Sequence, residues 1–346
     1  MTCGDAGSEA ARADDIEEAE VAQSPSQHPN LDPELRAAVE QGGLMTADLS
    51  TVTFGDLPEM RAQMNAALAA MAPAFPAGVT VEDRKVPGPE GAPAVRVRIY
   101  RPQTQDGPLP ALYWIHGGGM IIGSPEIDDA RMAANVLEIG CVVVSVDYRL
   151  APEHPHPAPV EDCYAGLVWT ARNADDLGVD PARIAIGGAS AGGGLAAGTA
   201  LLARDRGGPA LAFQLLVCPM LDDRNTTPSS REFAQAVVWD RAANLFGWSA
   251  LLGDAAGGED VPVYAAPARA GDLSGLPPAF VDVGELEVFR DECMEYALRL
   301  AQAGVSTEFH LWPGAFHGFA GMVPGATISR RASDAQVAAL RRALVE

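Results

Sequence analysis

The sequence predicts an α/β protein built on one doubly wound, mostly parallel sheet of about eight strands flanked by helices. Three observations carry that expectation. Compact apolar runs recur along the chain and end in Gly or polar clusters, as strands covered on both faces do. Stretches of helical spacing alternate with them. One apolar run opens directly into a Gly-rich helix start, IAIGGASAGGGL at positions 184–195.

Taken in order, Leu31 to Gln41 and Leu57 to Met71 carry helical spacing, and Pro58 suits a first helical turn. From about Thr80 the period changes. VEDRKVPG and VRVRIYRP alternate apolar with polar residues, the pattern of half-buried strands. Ala111–Gly119 and Cys141–Tyr148 are compact apolar runs of the buried-strand type. Val160 to Ala174 reads as a helix that leads into a strand at Ile184, and Ala191 to Asp205 as the helix after it. Phe213 to Cys218, Phe280 to Val283 and Phe309 to Trp312 repeat the buried-strand look, with helices predicted over Asp291 to Ala303 and Ser329 to Leu344. The interval 222–256 breaks the rhythm, running polar and then Trp-rich, and is read as a helical insertion. Residues 1–28 are expected to be a disordered acidic tail: residues 1–40 hold ten acidic and two basic side chains with few large apolar ones. Helices in 29–75 and the insertion are expected to pack together as a lid on a catalytic domain spanning 76–346.

Composition bounds the function. The net charge of −22 argues against nucleic acid and against anionic membrane surfaces as partners. The N-terminus has neither a basic n-region nor an apolar h-region, and no stretch is long and apolar enough to span a bilayer, so no membrane insertion is expected. Five cysteines without C-x-x-C spacing suggest neither a disulfide framework nor a zinc cluster, and suit a reducing cytoplasm.

Gly188-Ala189-Ser190-Ala191-Gly192 fits G-x-S-x-G at a strand-to-helix turn, which would hold the Ser190 hydroxyl clear of the sheet. The bland alternative is a Gly-rich helix start that binds an anion. A second signal decides between them. His116-Gly117-Gly118-Gly119 follows the strand ALYWI, and HGGG arises by chance far less often than G-x-S-x-G. Acyl transfer passes through a tetrahedral oxyanion that needs inward-pointing backbone N–H donors, so Gly117, Gly118 and Ala191 are the predicted oxyanion donors. His116 itself leads that donor loop and is read as a structural hydrogen-bonding residue.

A serine needs a base, and the base needs a carboxylate to orient it. Downstream of Ser190 the only histidines are His310, inside the apolar strand, and His317, in the loop after it, so His317 is the predicted base. For the acid, Gly284–Glu292 (GELEVFRDE) offers Glu285, Glu287, Asp291 and Glu292 just past a strand, where an open α/β sheet places its ligands. Asp291 and Glu292 suit the positive end of the following helix. Glu287 is the predicted acid, with Asp291 and Glu285 as the alternatives.

With HGGGM, YRLAPEHPHPAP, GASAGG, GELEVFRDE and FHGF in this order, the chain resembles the bacterial hormone-sensitive lipase-like (family IV) carboxylesterases of the α/β-hydrolase superfamily. The resemblance runs from about Val81 to the last predicted helix. It implies the α/β-hydrolase fold with a helical cap built from residues 30–75 and 222–256. It also places Glu287 where the family's loop carries the triad acid, usually Asp. Ala189 stands where relatives commonly carry Asp or Thr. Met120, Trp239, Val288 and Phe289 are then candidate pocket walls, the alternative for each being plain core. Structural hydrogen-bonding roles are expected for Tyr148 and Asp162.

The activity these readings imply is hydrolysis of small-molecule esters with short to medium acyl chains through an acyl-enzyme, with no metal and no organic cofactor required. Two rivals are a serine amidase or peptidase on the same fold, for which no added peptide-screening domain is evident, and a ligand-binding relative with a disabled triad. A homodimer is left open.

Overall fold

A computed structural model of the chain describes residues 27–42, 49, 51–71 and 75–346. The predicted acidic tail therefore lies, up to residue 26, outside the described residues. Its expected end does not: His28 sits against Phe233, with ring centroids 6.2 Å apart.

The strands are β1 (Val79–Val86), β2 (Val95–Pro102), β3 (Leu109–Ile115), β4 (Val142–Asp147), β5 (Val179–Ala189), β6 (Phe213–Val217), β7 (Ala279–Leu286) and β8 (Thr307–Phe316). They form one eight-stranded sheet in the order β1-β2-β4-β3-β5-β6-β7-β8. β1 and β2 pair antiparallel, β2 meets β4 antiparallel, and all later neighbours are parallel. This is the α/β-hydrolase architecture that the resemblance implies. The burial of each strand follows its place in the sheet. All five residues of central β6 are buried, whereas β1, at the edge, buries only its two end residues, Val79 and Val86.

The helices are α1 (Pro33–Gln41), α2 (Leu57–Met71), α3 (Asp129–Asn135), α4 (Ala158–Arg172), α5 (Ala174–Leu177), α6 (Ala191–Asp205), α7 (Pro228–Glu232), α8 (Arg241–Leu252), α9 (Arg290–Gln302), α10 (Phe319–Met322) and α11 (Thr327–Leu344). Asp32 caps α1, its carboxylate accepting from the N–H groups of Glu34 and Leu35. α6 is buried from Ala191 to Ala203. Its small residues permit close packing: a Cβ at Gly194 would collide with the Met220 carbonyl, and one at Gly198 with that of Tyr264.

Two strands are longer than their apolar runs suggest. β5 starts at Val179, five residues before Ile184, because Val179 pairs with Leu109 across an irregularity in the register. β8 continues through Pro313 and Gly314, residues that otherwise signal a turn. Edge strands tolerate both, and here the Gly314 N–H donates to the Glu285 carboxylate at 2.7 Å while its φ of 69° suits only glycine well.

The connection between β6 and β7 runs over residues 218–278 and holds α7 and α8. It meets the N-terminal segment directly, with the rings of Phe54 and Phe246 4.9 Å apart. Among the described residues no helix is long and apolar enough to cross a membrane.

Candidate active site

Five parallel strands, β3-β5-β6-β7-β8, end at one edge of the sheet, and each hands the chain to a loop there. That topology brings distant segments together. Ile115 is the register partner of Gly188, so the HGGG loop and the Ser190 turn leave adjacent strands at the same level. Leu286 is the partner of Phe316, so Glu287 and His317 each follow one member of a paired couple.

Ser190 occupies φ 57°, ψ −122°, a conformation that L-residues rarely adopt. The surrounding backbone holds it there: the Ser190 N–H donates to Val217 O at 2.8 Å, and Ser190 O accepts from Met220 N–H at 3.0 Å. The glycines beside it answer to space. A Cβ at Gly188 would strike the carbonyls of Gly192 and Ile115, and one at Gly192 the carbonyls of Ile115 and His116. The turn can close only without side chains at those positions.

The His317 ring lies between two groups. Its Nε2 is 2.9 Å from Ser190 Oγ, and its Nδ1 makes a short hydrogen bond to Glu287 Oε2. The other oxygen of Glu287 accepts from Gly284 N–H at 2.7 Å, which fixes the carboxylate over the end of β7. Glu287 is fully buried and His317 nearly so. Burial disfavours the His317 cation, whereas negative charge on Cys218, present only when the thiol is ionised, and on Glu287 favours it. Burial in turn pushes the Cys218 thiol up. At neutral pH Cys218 is therefore a neutral thiol.

The remaining acid candidates are engaged elsewhere. Glu285 holds Gly314 N–H. Asp291 accepts from Ser229 N–H at 2.6 Å and pairs with Arg290 at 2.8 Å, tying α7 to α9. Glu292 accepts from the N–H groups of Leu221 and Asp222, and burial raises its pKa well above the carboxylate range.

Gly117 lies against Ser190: a Cβ on it would be 3.5 Å from that of Ser190. Gly118 takes φ 116°, where a Cβ would strike the Ile122 carbonyl. Among the described residues none of the N–H groups of Gly117, Gly118 and Ala191 donates to another protein group. His116 faces away from this chemistry. It is buried, stacked on Tyr148 at 4.3 Å, with Nδ1 2.8 Å from Gly117 O, and Tyr148 donates to His116 O at 3.0 Å. Asp162 binds Arg149 through its N–H, Nε and Nη2. His310 is stacked on Phe280 and Trp312, and its Nε2 is hydrogen-bonded to Glu308.

Of the candidate pocket residues, Phe289 packs edge-on against the His317 ring at 5.1 Å. Trp239 presses on the Gly117–Gly119 segment, since a Cβ at Gly119 would lie 2.2 Å from the edge of its six-membered ring. Met120 is buried at φ 64°, directly after that segment. Val288 is fully buried, and its carbonyl accepts from Ser229 Oγ at 2.9 Å. Two nearby residues were not singled out from the sequence. Cys218 follows β6 with a sulfur close to both His317 and Glu287, and Arg61 of α2 reaches the turn after Gly118. Neither lies in a recognisable motif. Sheet order brings Cys218 to the site, and the packing of α2 brings Arg61.

Comparison with known proteins identifies the family. Residues 112–321 match the sequence profile of an alpha/beta hydrolase fold family. Carboxylesterase NlhH of Mycobacterium tuberculosis is 41% identical over 266 residues, 76% of this chain and 83% of the relative. Esterase LipI of the same organism is 39% identical over 252 residues, 71% and 78% of the two chains. Among solved structures, a bacterial heroin esterase superposes with a TM-score of 0.85 at 46% identity, covering 92% of this chain and 99% of that one. Esterase LipW from Mycobacterium marinum gives 0.79 at 38% identity, covering 94% and 99%. By fold, profile and relatives, the chain belongs to the α/β-hydrolase family, as a carboxylesterase of its hormone-sensitive lipase-like branch.

Proposed function

We propose that Ser190, His317 and Glu287 perform the ester hydrolysis, with the backbone N–H groups of Gly117, Gly118 and Ala191 as oxyanion donors. The single observation that carries this reading is the position of the His317 ring, with Nε2 2.9 Å from Ser190 Oγ and Nδ1 on Glu287. His317 Nε2 takes the Ser190 proton as Oγ attacks the ester carbonyl carbon, and Glu287 steadies the imidazolium. The carbonyl oxygen becomes an oxyanion among three preorganised donors, whose stabilisation strengthens as charge develops. His317 then returns the proton to the leaving alkoxide, and Ser190 is left acylated. Water, activated by the same imidazole, releases the acid.

The N-terminal helices and the β6–β7 connection serve in this reading as a cap over the catalytic edge. Short to medium acyl esters are the proposed substrates, bounded by Trp239, Met120 and Phe289. The four described cysteines are unpaired, which favours the cytoplasm as the site of action.

The test is release of p-nitrophenol from acetate and butyrate esters by the purified protein. Ser190→Ala is expected to lower kcat by about 10⁴-fold or more. An equally active Ser190→Ala protein would overturn the assignment.

A further inference from the structure

Cys218 is buried in the site, yet ester hydrolysis has no use for it. It follows β6 at φ 35°, and its N–H donates to Asp282 O at 2.7 Å, so the backbone turns there under restraint. That turn carries its sulfur close to the His317 imidazole. Cys218 Sγ, a carboxylate oxygen of Glu287 and a ring nitrogen of His317 all lie within 4.8 Å of one another, and all three residues are buried. Among the described residues no other group of three His, Cys, Asp or Glu side chains converges so closely.

Sulfur, imidazole nitrogen and carboxylate oxygen form a donor set suited to Zn²⁺ and its softer analogue Cd²⁺, and poorly suited to Mg²⁺. Bond lengths of about 2.0–2.3 Å to one tetrahedral ion place its ligands about 3.3–3.7 Å apart, so closure asks for shifts on the order of 1 Å. Rotation about the side-chain torsions of Cys218 and Glu287 supplies movements of that size. The three residues come from the ends of β6, β7 and β8, which is why no zinc-type spacing is visible along the chain.

We propose that Cys218, His317 and Glu287 form an inhibitory site for a thiophilic divalent cation, Zn²⁺ foremost, which closes the catalytic base when it binds. Bonds form from the ion to Sγ, to His317 Nδ1 and to a Glu287 oxygen, and the thiol proton leaves to solvent. A neutral imidazole has one lone pair. Once Nδ1 gives it to the metal, the ring proton resides on Nε2, which can no longer accept the proton of Ser190. The ion also neutralises the carboxylate that would steady the imidazolium. The binding site stands on geometry alone, and only its inhibitory consequence rests on the proposed catalytic roles.

Two measurements test the two halves separately. In the first, Ser190→Ala protein, whose metal-site residues are intact, is titrated with Cd²⁺ and followed by thiolate-to-cadmium charge-transfer absorption. The band is expected to saturate and to lose one site's amplitude in Ser190→Ala/Cys218→Ser. Identical titrations would overturn the site, whatever the enzyme hydrolyses. In the second, wild-type p-nitrophenyl acetate hydrolysis is measured with Zn²⁺, with Mg²⁺, and with Zn²⁺ followed by EDTA. Inhibition by Zn²⁺ alone, reversed by EDTA, is expected. The Zn²⁺ concentration for half-inhibition should rise by about 10–100-fold in Cys218→Ser and in Cys218→Ala, each referred to its own metal-free rate. Equal zinc sensitivity in both variants would overturn the inhibitory role. A protein that binds Cd²⁺ through Cys218 but hydrolyses no ester would instead refute the catalytic assignment.

Discussion

The guanidinium of Arg61, on helix α2, donates from Nε to the carbonyl oxygen of Ile121 at 2.7 Å. Ile121 closes the turn that begins at Gly118, its own N–H donating to Gly118 O at 3.0 Å. The same guanidinium reaches Ala151 O at 2.7 Å and grips Glu153 with two nitrogens, while Ala151 N–H donates to Met120 O. One side chain thus joins α2 to the turn that follows Gly117–Gly119 and to the Ala151 loop bonded to that turn. Arg61→Ala is expected to lower kcat by about 10–100-fold with little change in KM, because displacing a donor by a fraction of an ångström is felt mainly in the transition state. Arg61→Lys should recover part of the loss, since a point charge cannot fill the planar fork. Steady-state kinetics with p-nitrophenyl acetate, beside an unfolding curve for each variant, separates this from a simple loss of fold. A fall in kcat no greater than in KM would refute it.

Glu287 and Asp291 lie four positions apart and do different work. Glu287 contacts the His317 ring and Gly284 N–H; Asp291 pins α7 to α9 through Ser229 and Arg290. Glu287→Gln retains size but loses the charge that holds the correct imidazole tautomer, so kcat should fall by about 10³–10⁴-fold. Asp291→Asn should cost activity less than about tenfold and express itself in stability, at about 1–3 kcal/mol for a part-buried charged contact. Parallel kinetics and urea melts on the two variants decide, and the reverse ranking would move the acid to Asp291.

The parts of this site that sequence could convey are those where local chemistry leaves a mark on neighbouring residues. Ser190 was legible because its turn excludes side chains at Gly188 and Gly192, and those glycines stand beside it in the chain. His317 and Glu287 could be narrowed by the order of elements, because each loop position follows a recognisable buried strand. Arg61 was not legible, since its partners, Ile121, Ala151 and Glu153, lie far along the chain and all four of its hydrogen bonds go to backbone carbonyls or to that one carboxylate. Cys218 was equally silent: its neighbours arrive from β7 and β8. The length of β8 was hidden for another reason. Pro313 and Gly314 announce a turn locally; they lie in the irregular part of the β7–β8 register, where the Glu285 carboxylate holds the Gly314 N–H.

Asp282 lies buried within β7, one oxygen accepting from Trp312 Nε1 at 3.1 Å and Gln336 Nε2 at 2.7 Å, the other without a partner. Burial raises its pKa from 3.8 to about 6. A native state that binds this proton more tightly than the unfolded chain gains stability at low pH and loses it as pH climbs from about 4 to about 6. Above that range the deprotonated carboxylate carries a penalty on the order of 3 kcal/mol. Asp282→Asn keeps an acceptor for both donors and never ionises. The variant is expected to exceed the wild type in urea midpoint at pH 7.5, with the advantage shrinking toward zero near pH 4. A variant less stable than wild type at pH 7.5 would show that the carboxylate is stabilised as an anion.

Trp239 offers the clearest handle on acyl length. Its ring is buried between Gly119 of the oxyanion segment and Gly247 of α8, and its Nε1 donates to Asn244 Oδ1 at 3.2 Å, which Asn225 steadies in turn. A ring whose outer edge packs against Gly119 and Gly247 and whose nitrogen is tethered to Asn244 resists swinging aside for a longer substrate. Replacing it by leucine leaves an apolar wall but vacates the volume of the indole next to the reacting carbonyl. Each added methylene that finds a pocket is worth about 1 kcal/mol or more in the transition state, so kcat/KM for hexanoate relative to acetate should rise about tenfold or more in Trp239→Leu. Acetate turnover should fall modestly in the same variant, because Gly119 loses the surface it rests on. A panel of p-nitrophenyl esters from acetate to octanoate reads both effects. An unchanged chain-length profile would place the acyl chain away from Trp239, toward Phe289 and the His317 side.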